Sequence, residues 1–121
     1  MLVTAVPLIS RAQPHLVQSG RYYVAETAEG EILGAGGWSR RGDARAEVRH
    51  LVTDHAHLRR GIARALMARS MNEARAQGGQ WMDCLATRTA VPFDAAVGFD
   101  TLGPVEVPLR PGITFPAVRM T

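Results

Sequence analysis

Lysine is absent from this 121-residue sequence, and all fourteen basic residues are arginine. The arginines are scattered and the net charge is only +3, whereas a nucleic-acid-binding surface usually needs a dense basic patch with interleaved aromatic residues. Aromatic residues make up only 6% of the chain. We therefore expect no nucleic-acid partner. We attribute the missing lysine to coding bias, and its consequence is that no lysine side chain can be acylated.

Cysteine and long apolar runs are also scarce. Cys84 is the only cysteine, so no intramolecular disulfide can form, which fits a reducing compartment. No apolar run approaches the roughly 20 residues that span a bilayer. Residues 1–10 lack the basic start and the cleavage site of a signal peptide. We therefore expect a cytoplasmic protein without a membrane partner.

The residues that are present describe an ordinary globular protein. The apolar share is 46% and the charged share 21%, and the length suits one domain. We expect four parts: a short N-terminal segment (1–20), an antiparallel meander (22–53), a core of alternating strands and helices (54–99) and a C-terminal hairpin (100–121). In the first part, residues 8–19 could form a short helix, which Pro14 would limit.

Hydrophobic periodicity predicts the individual elements. A long helix with an apolar stripe at Ile62, Leu66 and Ala74 should be stopped by Gly78 and Gly79. The strand–helix–strand order around it predicts two parallel strands. The sum is a mixed α/β fold with a mostly antiparallel sheet of about six strands. The predicted strands are Tyr22–Ala28, Glu31–Trp38, Arg45–Thr53, Gln80–Ala86, Thr101–Leu109 and Ile113–Met120, and the predicted helices are Arg60–Gln77 and Thr89–Val97.

The clearest functional signal is a strand–loop–helix corner. The strand that ends at Thr53 runs through a polar loop into a helix that opens with Arg-Arg-Gly-Ile-Ala at residues 59–63. A helix start offers unpaired N–H groups, Gly61 allows a ligand to approach the backbone, and guanidinium groups favour anions. The corner therefore predicts a site for a phosphorylated anion.

This arrangement resembles the GNAT N-acetyltransferase superfamily. The family's acyl-CoA signature, Q/R-x-x-G-x-G/A, falls on Leu58–Ala63, and its Phe-Tyr pair followed by Gly-Phe is echoed at Phe93–Phe99. The resemblance covers about residues 22–121. It implies the acyl-CoA N-acyltransferase fold, with an acyl-CoA-binding core at 54–99 and acetyl-CoA as the acyl donor.

Three positions depart from the family pattern. Leu58 replaces the usual Gln or Arg at the first signature position. Asp94 stands where the family commonly has the tyrosine that protonates the departing CoA thiolate. Only about twenty residues precede the first meander strand, so the N-terminal strand and helix layer is shortened, which exposes a sheet edge and favours a homodimer.

The resemblance also implies which residues hold the donor. The pantetheine arm should pair with the backbone at 51–53, with the Val52 N–H near the thioester carbonyl, where a fixed donor stabilises a developing oxyanion. The pyrophosphate should sit on the N–H groups at 59–63. The implied acyl-CoA-binding residues are Leu51, Val52, Thr53, Leu58, Arg59, Arg60, Gly61, Ile62, Ala63, Arg64, Thr87 and Phe93.

Proton transfer needs a base, and Glu47 is the first candidate. Its spacing from Gly61 is similar to that of the base glutamate in some family members, but a carboxylate on a sheet face can equally pair with Arg45 or Arg49. His50 is a second candidate base. The spacing of His50, His55 and His57 matches no standard zinc pattern, so we expect no metal.

The proton donor is the second catalytic group that the reaction needs. An aspartate in water has a pKa of about 4 and is ionised at neutral pH unless burial raises its pKa. We therefore expect Asp94 to give slower chemistry, or Tyr22 or Tyr23 to replace it. The predicted function is an acetyl-CoA-dependent N-acetyltransferase that acts on an unidentified amine. The alternative is a catalytically weak or inactive acyl-CoA-binding relative.

Overall fold

The computed structural model of the chain describes residues 1–5, 21–54 and 61–121. In these parts seven strands form one sheet in the order β1-β2-β3-β4-β5-β7-β6. The strands are β1 (Leu2–Ala5), β2 (Tyr22–Glu26), β3 (Ile32–Arg40), β4 (Arg45–Thr53), β5 (Trp81–Ala86), β6 (Thr101–Arg110) and β7 (Ile113–Met120). The helices are α1 (Ile62–Ala76) and α2 (Val91–Ala96), with a 3-10 turn at Arg88–Ala90 before α2.

The predicted fold class is confirmed, with small differences. The sheet is mixed, and β4 with β5 is its parallel pair, joined through α1. Strand β1 was not predicted, because four residues carry too little periodicity to be recognised. Strand β2 ends two residues early, since the N–H of Gly30 donates to the Thr27 carbonyl (3.0 Å) and closes a turn. The predicted helix at 8–19 lies outside the described residues.

Helix α1 forms the centre of the core. Its predicted apolar stripe is buried, and Ile62, Leu66 and Ala74 pack against residues of β2, β3 and β4 in one cluster. Met67, on the same helix, belongs to a second cluster with side chains of β5 and β7. None of the described helices is long and apolar enough to cross a membrane.

Close packing of α1 on β3 depends on Gly34. A Cβ at this position would lie 2.8 Å from the Val52 carbonyl oxygen and 2.9 Å from Ile62 Cγ2. Both distances are shorter than real Cβ contacts allow. The predicted role of the β3 glycines, to leave room for a close neighbour, is therefore seen at Gly34.

The sheet opens between β4 and β5. The two strands pair at only three positions, ending at Glu47 opposite Asp83. From Cys84 onward β5 pairs with β7 instead. On the edge that pairs with β3, β4 contains one extra residue between Arg49 and Val52. Such a bulge bends a strand. The later parts of β4 and β5 therefore diverge, and we call the gap between them the splay.

Substitution of Gly34 tests this packing. Gly34→Val should lower the free energy of unfolding by about 1–3 kcal/mol, the usual effect of overpacking, in urea denaturation. Ala35→Val is the matched control, because Ala35 is half-buried and lines an open groove with Ile32 and Val52. Equal urea midpoints for the two variants would contradict the account.

Candidate functional site

Two adjoining cavities follow the splay, and we call them together the splay channel. The outer cavity, about 490 Å³, lies at the start of α1, and the inner cavity, about 370 Å³, lies between α1, β5 and α2. They share Thr53, Ala63 and Phe93. The other outer-cavity residues are Gly61, Ile62, Arg64 and Thr89. The other inner-cavity residues are Val48, Leu51, Met67, Cys84, Leu85, Ala86, Thr87, Ala90 and Asp94.

The outer cavity ends on the first turn of α1. Gly61 precedes the helix in the left-handed conformation (φ 76°) and contributes no capping side chain. Among the described residues, the first helical bond runs from the Ala65 N–H to the Gly61 carbonyl (3.0 Å), and the N–H groups before it have no helical partner there. No acidic residue lies in this turn. The positive end of the helix dipole is therefore available to an anion.

The inner cavity ends on a buried carboxyl and a buried thiol. Asp94 is 6% exposed and Cys84 is 5% exposed, and the Cys84 Sγ donates to Asp94 Oδ2 at 3.8 Å. Burial raises the pKa of Asp94, although the hydrogen bond from Cys84 opposes this. Burial, followed by the neighbouring Asp94 charge, raises the pKa of Cys84 to about 12. The thiol is therefore neutral at physiological pH, and Asp94 is shifted toward its protonated form.

Glu47 lies on the face of β4 that points away from α1. Its neighbours Ala46 and Val48 pack into the core beneath the helices, and successive side chains of a strand point to opposite faces. Glu47 is 8% exposed. Its Oε2 lies 3.4 Å from Arg49 Nη2 and 3.6 Å from Arg41 Nη1. The carboxylate is therefore flanked by two guanidinium groups.

The two ion-pair alternatives for Glu47 have different outcomes. Arg49 does contact Glu47, and its Nε also donates to Ser39 Oγ at 3.0 Å. The pairing with Arg45 is wrong, because Arg45 Nη1 donates to both carboxylate oxygens of Asp83 at 2.8 and 3.0 Å. Arg45 contacts Asp83 because the parallel pairing of β4 with β5 places Arg45 beside β5.

Val52 lies apart from the other residues predicted to hold the donor. Its side chain is 59% exposed and lines a separate groove with Ala35. The Asp54 N–H donates to the Leu33 carbonyl at 2.8 Å, so Asp54, the residue after β4, forms a hydrogen-bonded pair with Leu33 of β3. In antiparallel strands such pairs alternate with pairs that are not hydrogen-bonded, so the next hydrogen-bonded pair lies two residues away. Val52, opposite Ala35, therefore turns its own N–H toward β3. Thr53 turns its N–H toward the splay, so the register favours Thr53 over Val52 as a backbone donor.

The remaining predicted residues fall into two groups. Leu51, Thr53, Thr87 and Phe93 line the splay channel together with the residues at 61–64. Predictions on Leu58, Arg59, Arg60, His55, His57 and the side chain of His50 lie outside the described residues.

The suggested tyrosine donors are not at the channel. Neither Tyr22 nor Tyr23 lines it. The hydroxyl of Tyr23 is buried and accepts a hydrogen bond from Trp38 Nε1 at 3.1 Å. Because Tyr23 belongs to the core beneath α1, it cannot replace Asp94 as a donor.

Sequence reasoning missed part of the inner cavity. Met67 follows Ala63 by one helical turn, and Cys84 and Ala86 alternate along β5, so helix and strand periods could have found all three. The contact between Cys84 and Asp94 had no such signal, because α2 brings it about through tertiary packing.

A protein-family profile matches almost the whole chain. A sequence profile described as the acetyltransferase (GNAT) domain matches residues 6–120. No curated protein sequence matches the chain at a significant level.

Solved structures are similar over most of the chain. A Mycobacterium tuberculosis protein in complex with CoA and NLQ is 20% identical, with a TM-score of 0.72 over 97% of this chain and 84% of its own. Nourseothricin acetyltransferase is 25% identical, with a TM-score of 0.72 over 83% of this chain and 62% of its own. A Sinorhizobium meliloti phosphinothricin acetyltransferase in complex with AcCoA is 19% identical, with a TM-score of 0.67 over 82% and 58%. The chain thus spans about three fifths of the last two relatives.

The raised pKa of Asp94 makes a prediction about stability. A carboxyl whose folded-state pKa lies above its ordinary value of 3.8 contributes stability below that value, and the contribution is lost as pH rises through the folded-state pKa. The free energy of unfolding of Asp94→Asn, relative to that of wild type, should therefore increase as pH rises from about 4 to 8. Urea denaturation of both proteins across this range measures the difference. Asp43→Asn, in an exposed turn, is the control. Parallel pH profiles for wild type and Asp94→Asn would refute the assignment.

Proposed function

Because the chain belongs to the GNAT acetyltransferase family by its match over residues 6–120, we propose that it binds acetyl-CoA in the splay channel and transfers the acetyl group directly to an amine. The observation that carries the proposal is the channel itself, which joins the first turn of α1 to the buried Asp94. The Mycobacterium tuberculosis and Sinorhizobium meliloti relatives, solved with CoA and AcCoA, support the same ligand here.

The outer cavity suits the diphosphate of the donor. In the proposed complex its oxygens accept hydrogen bonds from the N–H groups of residues 61–64, where the helix dipole is positive. The exposed guanidinium of Arg64 can neutralise one charge. Gly61 leaves the approach open, since no atom of the described residues lies within 4 Å of where its Cβ would be. The pantetheine arm then extends past Thr53 into the splay.

The transfer itself is a single substitution at the thioester carbon. The lone pair of the amine forms the new C–N bond, a backbone N–H such as that of Thr53 stabilises the oxyanion, and the C–S bond breaks as the oxyanion collapses. The amine loses one proton to a base, and the thiolate gains one. A thiol of this kind has a pKa of about 8.5, so its departure needs only modest help.

We assign the two protons to Glu47 and Asp94. Glu47 lies where the splay begins, on the face opposite the channel, and could accept the proton of an amine that approaches on that face and reaches the thioester through the gap between the strands. Asp94 lies at the inner end of the channel, and its raised pKa favours the protonated form that could donate to the leaving sulfur. Burial raises the pKa of Cys84 to about 12, which disfavours the thiolate that an acetyl-enzyme would need and so favours direct transfer.

One observation favours the alternative of a weak or inactive acyl-CoA-binding protein. Glu47 is held by Arg41 and Arg49, and such pairing can make a carboxylate structural instead of basic. Isothermal titration with acetyl-CoA tests the shared binding step. Thiol release with a panel of amines then separates the two functions: release above hydrolysis supports the transferase, and its absence with every amine supports the alternative.

The Gly61 position predicts a selective loss of donor binding. Gly61→Glu should reduce acetyl-CoA affinity by at least tenfold in isothermal titration, because the side chain would enter the outer cavity with a negative charge. Gly112→Glu is the matched control: Gly112 also has a positive φ (80°) and open surroundings, but it lies in the β6–β7 turn. Unchanged affinity in Gly61→Glu would reject the diphosphate site.

The Glu47 position predicts a loss of turnover without a loss of donor affinity. Glu47→Gln should lower kcat/KM for the amine by about a hundredfold, within the range for general-base catalysis, while acetyl-CoA affinity stays unchanged. Glu73→Gln, which removes an ion-paired glutamate from α1 (3.0 Å to Arg69), is the control. If both variants retain wild-type kcat/KM, Glu47 is a structural carboxylate.

A further inference from the structure

The face of the sheet opposite the splay channel carries excess positive charge near the splay. On β4, Arg45, Glu47 and Arg49 share this face, because alternate residues of a strand point the same way. Arg41 joins them through its contact with Glu47. Asp83 on β5 is already occupied by Arg45 and by the hydroxyl of Thr121 at 2.8 Å. Arg119 on β7 is also on this face, since it pairs with Leu85.

Two of these arginines retain hydrogen-bonding capacity beside Glu47. The side chains of Arg41 and Arg49 are 57% and 42% exposed, whereas that of Glu47 is 10% exposed. A guanidinium has five N–H donors, and the contacts of Arg49 with Ser39 and Glu47 use only part of them. A small molecule at this point would meet one buried carboxylate between two accessible cations.

From this juxtaposition we infer that the acceptor is an amine with a neighbouring carboxylate, as in a free α-amino acid, whose amine faces Glu47 while its carboxylate binds Arg49 and Arg41. The inference rests on the proposed function, because it places the donor in the channel and leaves the opposite face to the acceptor. Arg49 then acts as a specificity-determining residue, since planar guanidinium groups bind carboxylates through paired hydrogen bonds.

Matched acids and amides provide the test. Thiol release is measured for leucine, methionine and phenylalanine and for their carboxamides. Apolar side chains are chosen because Val52 and Leu85 are 59% and 46% exposed. The Leu85 side chain turns to this face because those of Cys84 and Ala86 pack on the helix side. The α-amine of each carboxamide is less basic than that of the free acid. More of it is therefore unprotonated at neutral pH, and the carboxamide is intrinsically easier to acylate. A higher kcat/KM for the acids, by about tenfold or more, therefore requires recognition of the carboxylate.

Variants assign that recognition to Arg49. Arg49→Gln should lower the acid-to-amide ratio of kcat/KM by about tenfold, mainly through KM for the acid, and Arg49→Lys should retain part of the ratio. Arg110→Gln removes one positive charge in the distant hairpin and should leave the ratio unchanged.

The outcomes separate this inference from the proposed function. Amides that react as well as acids, an unchanged ratio in Arg49→Gln, or turnover of spermidine alone would overturn the acceptor assignment and leave the transferase in place. Absence of thiol release with every amine would overturn both.

Discussion

The structure depends on one feature of the sheet: β5 pairs with β4 and with β7 over different residues. Its first half bonds to β4, and from Cys84 its second half bonds to β7. The bulge before Val52, on the edge of β4 that pairs with β3, bends β4. The gap that results opens into the splay channel, and α1 begins beside it. A fold with continuous pairing across these strands would have no channel.

The two ends of the splay channel differ in electrostatic character, and this difference gives them different chemistry. At the α1 end, the positive end of the helix dipole favours negative charge. At the α2 end, burial disfavours the ionised form of Asp94 and raises its pKa. An elongated ligand with a diphosphate at one end and a thioester at the other fits this order. The opposite face carries Glu47 between two arginines, and the proposed acceptor would lie there.

The features that sequence reasoning predicted well are local ones. The α1 stripe repeats at helical spacing and ends at glycines, so Ile62 and Leu66 were placed correctly in the core. The features that it missed depend on distant parts of the chain. The bulge reverses the direction expected for the Val52 N–H, and the turn after β3 brings Arg41 to Glu47. No periodic pattern in the sequence predicts the direction of this N–H or the contact between Arg41 and Glu47.

The most direct test of the splay channel is an NMR titration of the ¹⁵N-labelled protein with acetyl-CoA. The account predicts that the largest amide shifts occur in the first turn of α1, at Ile62 to Arg64, and along the splay at Thr53 and Thr87. Shifts confined to the β6–β7 hairpin, or no saturable shifts at all, would contradict it.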